Sequence, residues 1–231
     1  MSYSASRCIK FLTIFILCFL LNPYRFLPVA DDIRQFLRFS VYIAVAINGI
    51  WLFRDDFAHT YLTFKQHIWR SLGSLVFLAV LILLGEVLSS VLMGILCQLF
   101  NSTEETLANQ VYLEKLLNHR FLFLPAVVSV SLTGPVVEEL VFRKSMIDLG
   151  KKYLPLPLIV SLQAVLFAAI HIHLFQTSEF INATPYLIAA FIYGIAYIRT
   201  DQIFYPIAVH IFFNTVNILM LLVLKIAAAC L

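Results

Sequence analysis

The sequence predicts an all-α protein, a polytopic bundle of transmembrane helices, and three observations support this. Hydrophobic residues make up 61% of the 231 residues, and charged residues only 13%. Soluble domains average about 45–50% apolar and about 25% charged residues. The apolar residues also fall into runs of about 20, the length that an α-helix needs to cross a bilayer. The chain accommodates roughly seven such spans with short loops, and no separate soluble domain.

The first predicted span could be mistaken for a signal peptide. Arg7 and Lys10 precede an apolar run, but no A-x-A-like cleavage site follows it, so we predict an uncleaved helix. The third span is longer than a hydrocarbon core of about 30 Å requires, and it must tilt, bend or project. The predicted spans are Ile9–Leu27, Phe36–Phe53, Leu72–Phe100, Phe121–Gly150, Leu158–Phe175, Phe180–Ile198 and Ile203–Leu231.

Two polar segments separate the early spans. The first, Arg54–Arg70, has mixed charge and is predicted to be a solvated loop in which His59 and His67 ligate nothing. The second, Asn101–Arg120, is predicted to form an interfacial amphipathic helix or a lid. We therefore divide the chain into an N-terminal part, residues 1–120, and a helical core, residues 121–231.

The small net charge of +3 is spread along the chain, which argues against nucleic acid as a partner. Cys8, Cys18, Cys97 and Cys230 are scattered without C-x-x-C spacing, so neither a disulfide framework nor a zinc knuckle is predicted. Nine loop cations on one side against five on the other favour a cytoplasmic N-terminus. The nine are Arg7, Lys10, Arg54, Lys65, Arg70, Lys144, Lys151, Lys152 and Arg199; the five are Arg25, Arg34, Arg38, Lys115 and Arg120.

The most informative stretch is Gly134-Pro-Val-Val-Glu-Glu-Leu-Val-Phe-Arg143, which carries two carboxylates and a guanidinium inside an apolar span. Each charge at a helix centre costs about 2.5–3.5 kcal/mol on insertion scales, so the group needs a structural or functional reason. Glu139 and Arg143 are four residues apart and can neutralise each other on one helix face. Glu138 is rotated by about 100° and points elsewhere, which suits a carboxylate used in acid–base chemistry. Pro135 must disturb the helix just before it.

Polar groups in three successive spans are predicted to meet at one depth. Glu138 and His171 lie at similar distances along their helices from the Gly150–Pro157 connection. With a helical rise of about 1.5 Å per residue, these distances are roughly 18 and 21 Å. His210 and Asn214 share one face of the last span and approach the same layer. Phe167 lies one turn before His171 on the same helix face and is placed to pack against the imidazole. His173 points away from His171 on an ideal helix, so we assign it to packing or to a helix interface.

These residues resemble the CAAX-protease and bacteriocin-processing (CPBP, or Abi) intramembrane proteases, which include the Ras-converting prenyl endopeptidase. The family carries E-E-x-x-x-R, F-x-x-x-H and H-x-x-x-N/D in this order on successive helices. Here these motifs read Glu138 to Arg143, Phe167 to His171 and His210 to Asn214. The resemblance runs from about Phe121 to Met220. Many members have eight spans, which widens the predicted count to seven to eight.

The resemblance implies an intramembrane endopeptidase, with residues 121–231 as its catalytic core. Glu138 and His171 would activate water, and His210 and Asn214 would stabilise the oxyanion. Glu139 and Arg143 would form a structural clamp, with Phe167 in support. The implied substrate is a membrane-associated peptide: a prenylated peptide, a bacteriocin or pheromone precursor, or another leader peptide. The implied location is the bacterial plasma membrane, with the lipid bilayer as the other partner.

Other functions remain open on the sequence alone. A chain of buried carboxylate and imidazole groups also suits a proton-coupled transporter, although no inverted repeat is found. A non-catalytic immunity or binding protein could use the same scaffold. Zinc bound by Glu138, His171 and His210 is an alternative to a metal-free site. We expect no tightly bound metal, because His210 shares its face with Asn214, whose amide is a hydrogen-bond donor and not a usual zinc ligand.

Overall fold

A computed structural model of the chain describes residues 3–102 and 108–229. These residues form helices and connecting turns, without a β-strand among them. The helices are α1 (Tyr3–Phe15), α2 (Asp31–Leu52), α3 (Arg54–Gln66), α4 (Ile68–Leu99), α5 (Ala108–Leu117), α6 (Phe123–Gly150), α7 (Leu156–Ala169), α8 (Thr177–Asn182), α9 (Thr184–Thr200) and α10 (Phe204–Ala229). The fold is therefore the helical membrane bundle that the sequence predicts.

The described residues contain six helical segments that are long and apolar enough to cross a membrane. The segments are Ser4–Phe26, Asp31–Leu52, Ile68–Leu99, Phe123–Gly150, Thr177–Thr200 and Phe204–Ala227. The fifth predicted span, Leu158–Phe175, corresponds to α7, which is apolar but only 14 residues long and is not among the six. The last predicted span extends to Leu231, and its final two residues lie outside the described part of the chain.

The polar segment Arg54–Arg70 is not the predicted loop, since α3 occupies most of it. Asp55 and Asp56 lie in the first turn of α3 and Lys65 in its last turn, so its charges suit the helix dipole at both ends. Asp55 also forms an ion pair with Arg7, with Oδ2 and Nη1 3.2 Å apart. Its two histidines are exposed, as predicted. In the second polar segment, α5 forms the helical part, and residues 103–107 lie outside the described residues.

The central helix of the bundle is α6. In its most apolar stretch of 18 residues, 61% of the residues are buried. The same share is at most 39% in the other candidate spans. Phe11 of α1, Val45 of α2 and Val137 of α6 belong to one apolar core. Residues on both sides of position 120 thus pack together around α6. The outer faces of α4 and α10 expose large apolar side chains, as helices in contact with lipid do.

The helices α7 and α9 pack closely through a small residue and a buried amide. Gln163 on α7 is fully buried, and its Nε2 donates to the Ala190 carbonyl of α9 at 3.0 Å. A Cβ atom at Gly194 would lie 2.6 Å from this Nε2. Gly194 therefore permits the close approach of α7 and α9.

We predict that Gly194→Ala destabilises the protein by about 1–3 kcal/mol, because the added methyl group displaces the buried Gln163 amide. Thermal unfolding in detergent measures the effect. Gly73→Ala in α4 is the matched control, since a Cβ there meets nothing within 4 Å. It should leave the melting temperature unchanged or raise it slightly, because alanine favours the helix. Equal shifts in both variants would contradict the packing role of Gly194.

Candidate active site

The irregular backbone of α6 creates the first element of the site. Residues Ser129–Thr133 form a π-helical turn, in which the N–H of Gly134 donates to the Ser129 carbonyl. The next N–H in this pattern would come from Pro135, which has none. The carbonyl of Val130 is thus left without a helical donor, and Nδ2 of Asn214 donates to it at 2.9 Å. The predicted disturbance at Pro135 is therefore the reason that α10 is tied to α6 at this point.

The second element is the ion pair between Glu139 and Arg143, which the sequence predicts. Both side chains are fully buried, and Arg143 Nη1 lies 3.1 Å from Glu139 Oε1. The angle does not make this contact a hydrogen bond, so the pair is held by charge. The same Oε1 accepts a hydrogen bond from Nδ1 of His210 at 2.8 Å. Glu139 therefore does more than neutralise Arg143, because it also orients the imidazole of α10.

Aromatic rings surround this pair on the remaining sides. The Arg143 guanidinium lies over Phe167 at 4.5 Å and over Tyr193 at 5.4 Å from the ring centres. Tyr193 also stacks on His210 at 5.3 Å, and Phe167 contacts the edge of His210 at 6.1 Å. Cations interact favourably with aromatic faces, especially where water is excluded. The rings therefore compensate part of the cost of burying the charges.

His171 lies immediately after α7, since the helix ends at Ala169 and not at Phe175 as predicted. Its Nδ1 lies 2.9 Å from the Phe167 carbonyl. A carbonyl oxygen only accepts, so Nδ1 carries a proton, and in the neutral ring Nε2 retains the lone pair. Tyr186 stacks on the imidazole with ring centres 3.9 Å apart. The ring is thus fixed, with one nitrogen able to accept a proton or a hydrogen bond.

Glu138 differs from Glu139 in its access to solvent. Its side chain is 16% exposed, and it forms part of a cavity wall, whereas Glu139 is sealed. Its Oε2 lies 3.8 Å from Nε2 of His210, too far for a hydrogen bond. Glu138 is therefore the carboxylate of the pair that a molecule in the cavity can reach.

One cavity of about 470 Å³ receives the polar groups of the three motifs. Glu138, His171, His210 and Asn214 all line it, so residues of the three motifs converge on one cavity. The wall also includes α2 and α5, which belong to the N-terminal part of the chain. The lining residues from these two helices are Arg38, Phe39, Tyr42, Tyr112, Leu113 and Leu116.

His173 is placed differently from the sequence prediction. It also lines the cavity and is exposed, because residues 170–176 are not helical and the expected opposition to His171 does not apply. Its backbone N–H donates to Oε2 of Glu179 at 3.1 Å. The early end of α7 thus brings both histidines to the same side.

Sequence reasoning missed the tyrosines of α9. Tyr186 and Tyr193 are seven residues apart and therefore share a helix face, and they stack on His171 and His210 respectively. The sequence signal that could have indicated these tyrosines is an aromatic pair seven residues apart in a predicted span. It is weak alone, because such pairs mostly serve packing.

The described residues contain no group of three His, Cys, Asp or Glu side chains arranged to hold a metal ion. The three residues considered as zinc ligands are Glu138, His171 and His210, and the two histidines already make hydrogen bonds. Nδ1 of His171 and Nδ1 of His210 are both occupied by hydrogen bonds, to a carbonyl and to Glu139. The remaining nitrogens and the Glu138 carboxylate face a cavity in which they are not gathered around one point.

Comparison with known families connects this geometry to a protein class. A family model described as type II CAAX prenyl endopeptidase Rce1-like matches residues 120–216. The match supports the resemblance of the chain to the CPBP/CAAX protease family. It includes all three motifs and supports, in general terms, an intramembrane endopeptidase of the CAAX type that acts on peptides at a lipid bilayer. No curated protein and no solved structure matches the chain.

The unequal environments of the two glutamates predict unequal effects on stability. Glu139→Gln should leave the buried Arg143 without a counter-charge and lower the free energy of unfolding by about 3–5 kcal/mol. Glu138→Gln should change it by less than about 1 kcal/mol, because this carboxylate is partly exposed and its contact with His210 is long, at 3.8 Å. Thermal unfolding of both variants in the same detergent compares them. A melting temperature lowered equally by both would contradict the structural role of Glu139.

Proposed function

We propose that the protein is a glutamate-dependent intramembrane endopeptidase that cleaves a membrane-associated peptide with an activated water molecule. The observation that carries the proposal is the single cavity lined by Glu138, His171, His210 and Asn214 among transmembrane helices. Amide hydrolysis needs a base for water and donors for the developing oxyanion, and this cavity offers both.

In this mechanism Glu138 and His171 hold and activate the water. Glu138 takes one proton as the water oxygen adds to the carbonyl carbon of the peptide bond. Nε2 of His171, whose Nδ1 is already held by the Phe167 carbonyl, accepts a hydrogen bond from the same water. The proton on Glu138 then passes to the leaving nitrogen, and the peptide bond breaks.

His210 and Asn214 stabilise the oxyanion. Asn214 has two N–H donors on its amide, and only one is used by the Val130 carbonyl. His210 donates to Glu139 through Nδ1, so it must carry both ring protons to donate through Nε2 as well. Glu139 thus acts as a positioning residue for His210 while it neutralises Arg143.

The cavity lies among helices whose outer faces are apolar, which suits a substrate held at the membrane. The substrate classes that the motif resemblance implies are prenylated peptides, bacteriocin or pheromone precursors and leader peptides. We place the protein in the bacterial plasma membrane with its N-terminus in the cytoplasm, on the excess of loop cations on the N-terminal side.

Glu138→Gln should lower the turnover of a prenylated reporter peptide at least about 100-fold, because the amide cannot accept the proton from water. Release of the fluorescent product by the purified protein in lipid nanodiscs measures the change. Glu86→Gln is the matched control, since Glu86 is a carboxylate of α4 that does not line the cavity. It should retain the activity of the unmodified protein. Full activity of Glu138→Gln would refute the proposal.

We propose further that the reaction needs no tightly bound metal, since the described residues hold no group of three metal-ligating side chains and Asn214, whose amide is not a usual zinc ligand, shares the helix face of His210. Purified protein should contain less than stoichiometric zinc, and exhaustive chelation should leave peptide cleavage unchanged. Metal analysis and activity before and after chelation measure this. Stoichiometric zinc whose removal abolishes cleavage, and whose return restores it, would make Glu138, His171 and His210 metal ligands.

A further inference from the structure

Arg38 is a cation on the cavity wall that the proposed chemistry does not use. It lies in α2, about 10 Å along the helix from its first residue at 1.5 Å per residue, and is half-buried. It lines the same cavity as Glu138. Arginine within a membrane span is costly and is usually retained for a functional reason.

The partners of Arg38 differ from those of the buried cations in α6. Arg143 pairs with Glu139, and Lys144 pairs with Asp56 and Asp148. For Arg38, no carboxylate of the described residues lies within the 4.0 Å of an ion pair.

Three tyrosines, Tyr42, Tyr112 and Tyr24, are near enough to Arg38 to interact with it electrostatically. Neutral hydroxyls give a guanidinium polar contacts but no counter-charge. A guanidinium has five N–H donors in a planar fork that matches a carboxylate. The charge of Arg38 is thus available to an anion in the cavity.

The position of Arg38 relates it to the proposed reaction centre through Tyr42. Tyr42 is one helical turn from Arg38, and its hydroxyl interacts electrostatically with both Arg38 and Glu138. Arg38, Tyr42 and Glu138 all line the same cavity of about 470 Å³.

We propose that Arg38 binds a carboxylate of the peptide substrate and so sets which peptide bond lies at Glu138. The proposal rests on the proposed function, since it assumes a peptide in this cavity. The carboxylate has two sources with the same chemistry, the C-terminus of the peptide or an acidic side chain. Arg38 is a binding residue in this proposal and takes no part in the proton transfers.

A binding experiment tests this apart from catalysis. The full chain carrying Glu138→Gln is titrated in nanodiscs with a dansylated, farnesylated hexapeptide of apolar sequence in three forms. The forms end in a free carboxylate, in an amide, and in an amide with one glutamate among the last three residues. We expect at least one carboxylate form to bind about 10-fold or more tightly than the plain amide, because a charge-assisted hydrogen bond is lost in the amide. Preference for the free C-terminus or for the glutamate form identifies the source.

Variants of Arg38 then assign the preference. Arg38→Gln should bind all three forms equally, and Arg38→Lys should keep part of the preference as a point charge without the planar fork. Arg34→Gln is the control on the same helix. Arg34 pairs with Asp31 at 2.6 Å and does not line the cavity, so its replacement should leave the preference intact.

The outcomes separate this proposal from the proposed function. Equal binding of all three peptides to the protein that retains Arg38 would overturn the carboxylate site, whatever the variants do. A uniform loss of affinity for the three forms in Arg38→Gln, with a lowered melting temperature, would overturn it too and assign Arg38 to holding Tyr112 of α5. If the carboxylate preference is present but the unmodified protein cleaves none of the peptides, the site stands and the endopeptidase proposal fails.

Discussion

The structure depends on one buried ion pair, that of Glu139 and Arg143. Four helices meet at it: α6 supplies both charges, α10 brings His210 to the carboxylate, and Phe167 of α7 and Tyr193 of α9 cover the guanidinium. A carboxylate and a guanidinium buried in a membrane are tolerated only together. The helices that carry them, and the rings that cover them, are therefore held in one arrangement. The same constraint fixes the imidazole next to Glu138.

The proline of α6 adds a second constraint of a different kind. It removes a backbone donor, and the unsatisfied carbonyl of Val130 is bonded by Asn214 of α10. An asparagine is suited to this position because its amide satisfies the carbonyl with one N–H and keeps another. The backbone irregularity and the proposed oxyanion donor are thus two parts of the same arrangement. A regular helix at this point would need no such partner.

Much of this was predictable from sequence because burying charge in a membrane is expensive. The Glu139–Arg143 pair, the spans and the convergence of Glu138, His171, His210 and Asn214 follow from helical spacing and from that cost. Helix α3 was missed because its polarity resembles a loop, and only its end charges favour a helix. The early end of α7 was missed because the sequence stays apolar beyond Ala169. The proximity of α2 to the cavity depends on tertiary packing, which periodicity does not specify.

The shortness of α7 has a consequence for the surrounding lipid. Its 14 residues extend about 21 Å, while a typical hydrocarbon core is about 30 Å thick. Leu158 and Val165 on its outer face are exposed, so acyl chains meet a helix too short for them. A bilayer adjusts to such hydrophobic mismatch by thinning locally, at a cost of fractions of a kcal/mol per Å. The depth of His171 in the bilayer, two residues beyond the end of α7, is therefore set jointly by the protein and by acyl-chain length. For the proposed peptide substrate, membrane thickness would thus contribute to recognition.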